Sequence, residues 1–189
     1  MPRFELTFDD GPGPSTPALL DVLAAAGVRA TFFVLGSNAE RAREICVRAA
    51  REGHEIGNHT YSHARPDAID AAAFADELAR TDALITDIRR EAGVAPAPIR
   101  VRLPYGVLGD DPRVPMLAAL GRTHVGWTAD FGDWSPSEPS ELAARMRAHV
   151  VAQHAAGEDA VIDLHDSSRT GAERPATVEA VRLLLARPH

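Results

Sequence analysis

The chain has one cysteine, Cys46, in 189 residues. A single thiol excludes an internal disulfide and any metal site built from several cysteines. Its neighbours Glu44, Ile45, Val47 and Arg48 follow a helical pattern, so Cys46 is expected as a small core residue. Long apolar runs are also missing. No stretch approaches the ~18 consecutive apolar residues of a membrane span, and no basic start leads into an apolar run as in a secretory signal. The expectation from these absences is a cytoplasmic protein with no membrane partner. Positive charge is in deficit: 20 Lys and Arg stand against 27 Asp and Glu, a formal net charge of −7. Phosphate binding needs a basic face, so nucleic acid is not expected as a partner. Internal repeats and low-complexity segments are absent too.

What is present is ordinary for a globular chain: 45% hydrophobic and 25% charged residues, enough for one domain over 1–189 with a substantial core. Phe4, Leu6 and Phe8 alternate with Glu5 and Thr7, the pattern of a strand. Further strands are expected at 30–35, 54–57, 99–103, 123–128 and 160–164. Helices are expected at about 16–26, 39–51, 71–91, 114–120, 140–156 and 176–186. Ser15 or Thr16 is the expected cap of the first helix, and Ser137 or Ser140 of the fifth. Strand and helix alternate six times, which implies parallel strands joined by right-handed crossovers, in a barrel or an open sheet. Polar clusters follow five of the six strands, where both architectures place their sites. A crevice in an open sheet would use fewer strand ends, so the barrel is favoured.

The first cluster is Asp9-Asp10, followed by Gly11-Pro12. Two adjacent carboxylates at a strand exit repel each other, and a divalent cation would compensate them. His59 and His63 stand at i, i+4; in a helical turn both would face one ion. Two imidazoles and one carboxylate with open positions suit a catalytic zinc or a similar ion. The carboxylate could be Asp9 or Asp10. Arg102, before Leu103-Pro104-Tyr105-Gly106, has a planar guanidinium suited to orienting a carboxylate. Asp133-Trp134 lies in a loop rich in Gly, Pro and Ser. His165-Asp166 ends the last strand, and His165 held beside a buried aspartate could donate a proton. The set is what metal-assisted hydrolysis of an amide or ester requires: a polarised carbonyl, a base for water, an N–H for the oxyanion and an acid for the leaving group.

Five segments in this order resemble the motifs of the polysaccharide deacetylase family, the NodB-homology domain of carbohydrate esterase family 4. They are Thr7-Phe8-Asp9-Asp10-Gly11-Pro12, His59-Thr60-Tyr61-Ser62-His63, Arg102-Leu103-Pro104-Tyr105-Gly106, Asp130-Phe131-Gly132-Asp133-Trp134 and Ile162-Asp163-Leu164-His165-Asp166. The resemblance spans nearly the whole chain. It implies an α/β fold, a distorted (β/α) barrel in a single domain. It implies Asp9 as general base, and Asp10, His59 and His63 as ligands of one divalent metal, zinc first, with Co2+, Ni2+ or Mn2+ as alternatives. It implies that Arg102 orients Asp9, that the Tyr105 backbone N–H contributes to the oxyanion hole, that His165 is the general acid with Asp133 raising its pKa, and that Trp134 lines the acyl pocket. The implied reaction removes an acetyl-type group from the nitrogen of an N-acylated amino sugar or oligosaccharide.

The chain departs from the family in two ways. Asp163 stands two before His165, where the family usually has an apolar residue lining the acetyl pocket. An unpaired carboxylate there is costly, so Asp163 is expected to pair with a group such as Arg169 or Arg174, to meet a polar group of the substrate, or to point away from the pocket; a one-residue shift would instead put Leu164 in it. The absent export signal and the few aromatics for a sugar groove, chiefly Trp127, Trp134, Tyr61 and Tyr105, also admit a small substrate. The competing expectations are therefore a deacylase of a small non-carbohydrate amide, formyl, ureido or similar, with Asp163 setting specificity; an O-acetyl esterase; and a binding module that keeps the barrel without turnover.

Overall fold

The computed structural model describes residues 4–186. Five parallel strands form the sheet: β1 (Phe4–Asp9), β2 (Thr31–Val34), β3 (Glu55–Asn58), β4 (Ala129–Asp130) and β5 (Ala160–His165). Their order is β3-β2-β1-β5-β4. Seven helices surround them: α1 (Thr16–Ala26), α2 (Gly36–Arg41), α3 (Arg43–Arg51), α4 (Ala71–Ala92), α5 (Arg113–Ala119), α6 (Pro139–Ala155) and α7 (Pro175–Leu185). Among the described residues no helix is long and apolar enough to cross a membrane.

The barrel closes through a single short segment. The strand expected at 99–103 contracts to Val101, which bridges Asn58 on one side and His124 on the other. The strand expected at 123–128 is no ladder at all. It begins on one edge, where the Val125 N–H donates to Val101 O (2.8 Å), and ends on the opposite edge, where the Thr128 N–H donates to Val161 O (2.8 Å). Residues Ala129 and Asp130 then run in register with Ile162 and Asp163. A segment that crosses between edges in so few residues cannot sustain a ladder with either, which is why strand-like composition yields so little strand. The result is the distorted barrel expected.

Strand alternation sorts side chains between two cores. Leu6, Phe8, Phe32, Val34, Ile56, Ile162 and Leu164 point outward and pack with Leu19, Leu20 and Leu23 of α1, Met146 of α6 and Val181 of α7. Glu5, Thr7, Asp9, Thr31, Phe33 and Asp163 have the opposite parity and point into the barrel. That interior is polar. Arg100 Nη1 donates to Glu5 Oε1 (2.6 Å), Glu55 Oε2 (3.3 Å) and Thr31 Oγ1 (3.3 Å) at its lower end. A second apolar cluster, Phe74, Leu78, Val101, Leu103 and Leu117, seats α4 and α5.

Two local expectations are corrected. The helix expected at 39–51 breaks at Ala42 (φ −131°, ψ 48°) into α2 and α3. Asn38 Nδ2 pins α2 to Asp10 O (2.6 Å) and Ser168 O (3.1 Å), while α3 buries Cys46, Val47, Ala49 and Ala50; the two docking demands set different axes. The expected serine and threonine caps do not cap their own helices. Ser15 Oγ accepts from the Arg174 N–H (2.7 Å), Thr16 Oγ1 accepts from the Gly13 N–H (2.8 Å) and donates to Asp166, and α6 starts after Glu138 with no side-chain cap.

Gly57 on β3 faces the barrel interior, where a Cβ would lie 2.6 Å from Phe33 Cδ1 and 3.3 Å from Arg100 O. Gly57→Ala is expected to destabilise the fold by about 1–3 kcal/mol through overpacking. A urea midpoint equal to that of the wild type would contradict this account of the interior.

Candidate active site

All the polar clusters meet at the C-terminal mouth of the barrel. Asp9 is the last residue of β1, in register with Phe33 of β2 and His165 of β5. Asp10 leaves the strand with φ 70°. Among the described residues, four side-chain-bearing positions have positive φ: Asp10, Thr60 (66°), His63 (61°) and Tyr105 (63°). All four lie at this mouth, and strained backbone of this kind concentrates at functional sites.

His59 and His63 do face one another's partner, but not from a helical turn; residues 59–63 are irregular. Neighbouring helices hold the loop instead. The Gly36 N–H donates to Thr60 O (2.9 Å) and the Ser37 N–H to Tyr61 O (3.0 Å). Glu77 of α4 accepts from the Tyr61 and Ser62 N–H groups (3.1 Å each). Gly36 is needed for that approach, since a Cβ there would sit 2.5 Å from the Tyr61 ring.

Of the two aspartates left open, Asp10 is the one that groups with both histidines. Asp10 Oδ1 lies 3.5 Å from His59 Nε2 and 3.1 Å from His63 Nε2. Ligand atoms of Asp10, His59 and His63 all fall within 4.8 Å of one another. Asp10 Oδ1 is buried and makes no well-formed hydrogen bond, although two imidazoles converge on it. His59 Nδ1 lies 2.9 Å from Arg102 O. A carbonyl only accepts, so Nδ1 carries the proton and Nε2 presents a lone pair. Burial lowers the His59 pKa, outweighing Asp9 and Asp10. Burial raises that of Asp10, but the close contact with His63 and the electrostatic pull of the surrounding histidines bring it below the ordinary value. A neutral imidazole and an ionised carboxylate are the states in which these groups bind a cation. The residues present therefore fit one divalent ion.

Asp9 turns the other way, toward Arg102. The Arg102 side chain is fully buried, and all its nitrogens are engaged. Nη1 donates to Thr7 Oγ1 (2.6 Å), Asp163 Oδ1 (2.8 Å) and Asp9 Oδ1 (3.0 Å). Nε reaches Val125 O (3.1 Å) and Nη2 reaches Gly126 O (3.0 Å). The guanidinium lies over Phe33, 4.3 Å from the ring centre. Asp9 Oδ2 is left near His59 Nε2, at 3.6 Å.

His165 stands next to Asp9, on the neighbouring strand. Its Nδ1 is 2.9 Å from Asp133 Oδ1. Asp133 Oδ2 accepts from the His165 N–H (2.9 Å) and from Thr177 Oγ1 (2.7 Å). Burial alone would lower the His165 pKa; the Asp133 hydrogen bond and charge, with Asp9 and Asp163, prevail and raise it to about 10. Trp134, half exposed, stands edge-on to the imidazole at 5.2 Å. The half-exposed Tyr105 ring packs on His63 at 4.4 Å. The Tyr105 backbone belongs to a tight turn closed by the Gly106 N–H on Leu103 O (3.2 Å).

Asp163 pairs with Arg102, not with Arg169 or Arg174 as expected. It is 3% exposed and lines the same cavity as Asp9, Asp10, His59 and His165. Burial, then the charge of Asp9, raises its pKa to about 8 against the pull of Arg102. Leu164 does not line the cavity: it packs fully buried in the outward core, on the opposite side of β5 from Asp163. Sequence reasoning missed the pair Asp111–Arg113. Arg113 is buried, bonded to Asp111 (2.6 Å), and clamps the Tyr105 turn through Pro104 O (2.9 Å) and Gly106 O (3.0 Å). The only trace in the sequence is an acid and a base flanking Pro112.

The cavity enclosed by these groups has a volume of about 800 Å³. A carboxylate-paired histidine, a second buried carboxylate, an Asp-His-His group that could hold a cation and an aromatic wall meet at one barrel mouth, a combination that suits metal-assisted acyl hydrolysis. The polysaccharide deacetylase family model matches residues 2–125, and the chain belongs to that family. It is 35% identical over 173 residues to a chitooligosaccharide deacetylase of Bradyrhizobium sp. (strain ANU 289), covering 91% of this chain and 74% of that protein. It is 40% identical over 130 residues to a peptidoglycan-N-acetylglucosamine deacetylase of Bacillus cereus, covering 68% of this chain but only 45% of the relative. A family 4 carbohydrate esterase from Streptomyces lividans, solved in complex with acetate, superposes with a TM-score of 0.78 at 28% identity, covering 97% of this chain and 86% of that one.

The His165 environment makes a titration testable. Its raised pKa means that the charged imidazole stabilises the fold fully below about 6.5 and ceases to do so as pH rises through about 10. In Asp133→Asn the favourable charge is lost while burial remains, so the pKa is expected to fall to about 6.5 or below. NMR titration of the His165 ring reads both values. A wild-type pKa near that of a free histidine would refute this electrostatic account.

Proposed function

We propose that this chain is a metal-dependent hydrolase that removes an acyl group from the nitrogen of an N-acylated amino sugar. The observation carrying the proposal is that Asp9, the Asp10–His59–His63 triad and His165, backed by Asp133, open onto one cavity. The relatives' names, chitooligosaccharide and peptidoglycan-N-acetylglucosamine deacetylases, support an amino-sugar substrate and do not favour a small non-carbohydrate amide.

A divalent cation held by Asp10, His59 and His63, zinc first for two imidazoles and a carboxylate, would supply Lewis acidity to a water and to the acyl oxygen. The chain's own groups do the rest. Asp9, oriented through Oδ1 by Arg102, has Oδ2 available to take a proton from water. The Tyr105 N–H, held by its strained turn, donates to the oxygen that gains charge as water adds. His165, with Nδ1 committed to Asp133, presents Nε2 and delivers its proton to the departing nitrogen. Trp134 walls the side where the acyl group sits.

Chitooligosaccharide and the same sugar carrying an O-acetyl ester provide the test. Released acetate should appear with the amide, vanish on chelation and return with Zn2+, Co2+ or another divalent ion. His165→Ala should lower amide turnover by about 10²–10⁴-fold and ester turnover much less, since an alcohol leaves more readily than an amine. Turnover of the ester alone by the wild type would make the protein an esterase and reject the deacetylase reading.

Asp163 is proposed to set acyl selectivity within this reaction. One oxygen is held by Arg102 and the residue lines the cavity, so a carboxyl meets the acyl group where a methyl would prefer an apolar wall. Asp163→Leu is expected to raise the ratio of acetyl to formyl kcat/KM on one amino sugar by about tenfold or more. An unchanged ratio, whatever happens to the absolute rates, would show that Asp163 acts only through Arg102.

A further inference from the structure

Arg174 is the residue immediately before α7, and it lines the same cavity as Asp10 and His165. Its backbone is firmly placed: the N–H donates to Ser15 Oγ (2.7 Å) at the start of α1, and its carbonyl accepts from the Val178 N–H (3.1 Å). No hydrogen bond from its guanidinium is seen among the described residues. Nε is buried without a hydrogen-bond partner, and the side chain makes no ion pair among the described residues. The other arginines of this cavity differ. Arg113 is saturated by Asp111 and two carbonyls, and Arg65 lies 3.4 Å from Asp67.

A buried donor without an acceptor is costly, and natural structures rarely tolerate one unless something else completes it. We infer that Arg174 forms a subsite for an oxyanion carried by the amino-sugar substrate, a carboxylate or a phosphate. This rests on the amino-sugar deacylase reading and narrows its substrate class. A sugar hydroxyl could accept one N–H but would leave the charge uncompensated. A carboxylate or phosphate matches the fork and the charge together. The rest of the site would repel such a group: Asp9, Asp10 and Asp163 line the cavity, and the whole chain carries −7. Arg174 therefore fixes where on the rim an anionic substituent can lie, and orients the ring relative to His165.

The test compares N-acetylglucosamine, N-acetylmuramic acid and N-acetylglucosamine 6-phosphate, by kcat/KM and by calorimetric binding, in the wild type, Arg174→Gln and Arg174→Lys. The wild type should favour at least one anionic sugar, and which one separates carboxylate from phosphate. Arg174→Gln should lower both readouts for that sugar about tenfold or more relative to the neutral sugar, while Arg174→Lys retains part of the preference. Equal losses for neutral and anionic sugars, or a wild type that binds them alike, would overturn the inference. Binding needs no turnover. Anionic sugars that bind through Arg174 but are not deacylated would reject the deacylase reading and leave the subsite standing.

Discussion

The Arg102 guanidinium is the element on which the site depends. It is a fully buried cation, and stripping water from such a group is tolerated only when its donors are met by well-placed acceptors. Those acceptors come from distant parts of the chain: Thr7 and Asp9 on β1, Asp163 on β5, and Val125 O and Gly126 O on the segment that closes the barrel. One side chain thus ties barrel closure to the orientation of Asp9. Its backbone carbonyl adds a third link by fixing the proton on His59 Nδ1. An apolar residue could fill the same space, but it would leave Asp9 and Asp163 as unpaired buried carboxylates and the closing carbonyls without donors.

Around that centre the mouth is assembled from strained loops held by packed helices. Asp10, Thr60, His63 and Tyr105 all have positive φ, a conformation that costs free energy for residues with side chains. Each is held by something outside its own loop. Asn38 of α2 bonds the Asp10 carbonyl, Glu77 of α4 bonds the 61–62 backbone, and Arg113 of α5 bonds the carbonyls on either side of Tyr105. The helices therefore do more than cover the barrel: they convert core burial into a fixed arrangement of ligands and donors.

The sequence announces chemistry through polar residues just after apolar strands, and that much was legible: Asp9-Asp10, the paired histidines, Arg102, Asp133 and His165 all reach the mouth. Long helices with clean periodicity were legible too, as in α4, expected at 71–91 and observed at Ala71–Ala92. What failed was conformation that local propensity opposes. Threonine disfavours positive φ, so residues 59–63 read as a helical turn, and only contacts from α2 and α4 make them otherwise. The closing segment failed for a related reason, since nothing within 123–130 reveals that its two ends pair with opposite edges. The choice between Asp163 and Leu164 could have been made earlier. Ile162 and Leu164 share the parity of an outward core, which leaves Asp163 facing inward with Thr7 and Asp9.

Charge balance brings these points together. Asp9, Asp10, Asp163 and Asp166 are buried close to one another, with Arg102 and a protonated His165 as the cations among them. Acidic groups outnumber their compensation, and the surplus shows where burial is deepest. Asp166 is raised to about 7, by burial first and then by Asp10 and Asp9, and Asp163 to about 8. A fold that gathers this much negative charge around two imidazole faces is organised for added positive charge at Asp10, His59 and His63. Asp163 is the residue most exposed to that balance, because it shares a single Arg102 nitrogen with Asp9. A proton on Asp163 leaves that nitrogen to Asp9 and Thr7 Oγ1 and so strengthens the hold on Asp9.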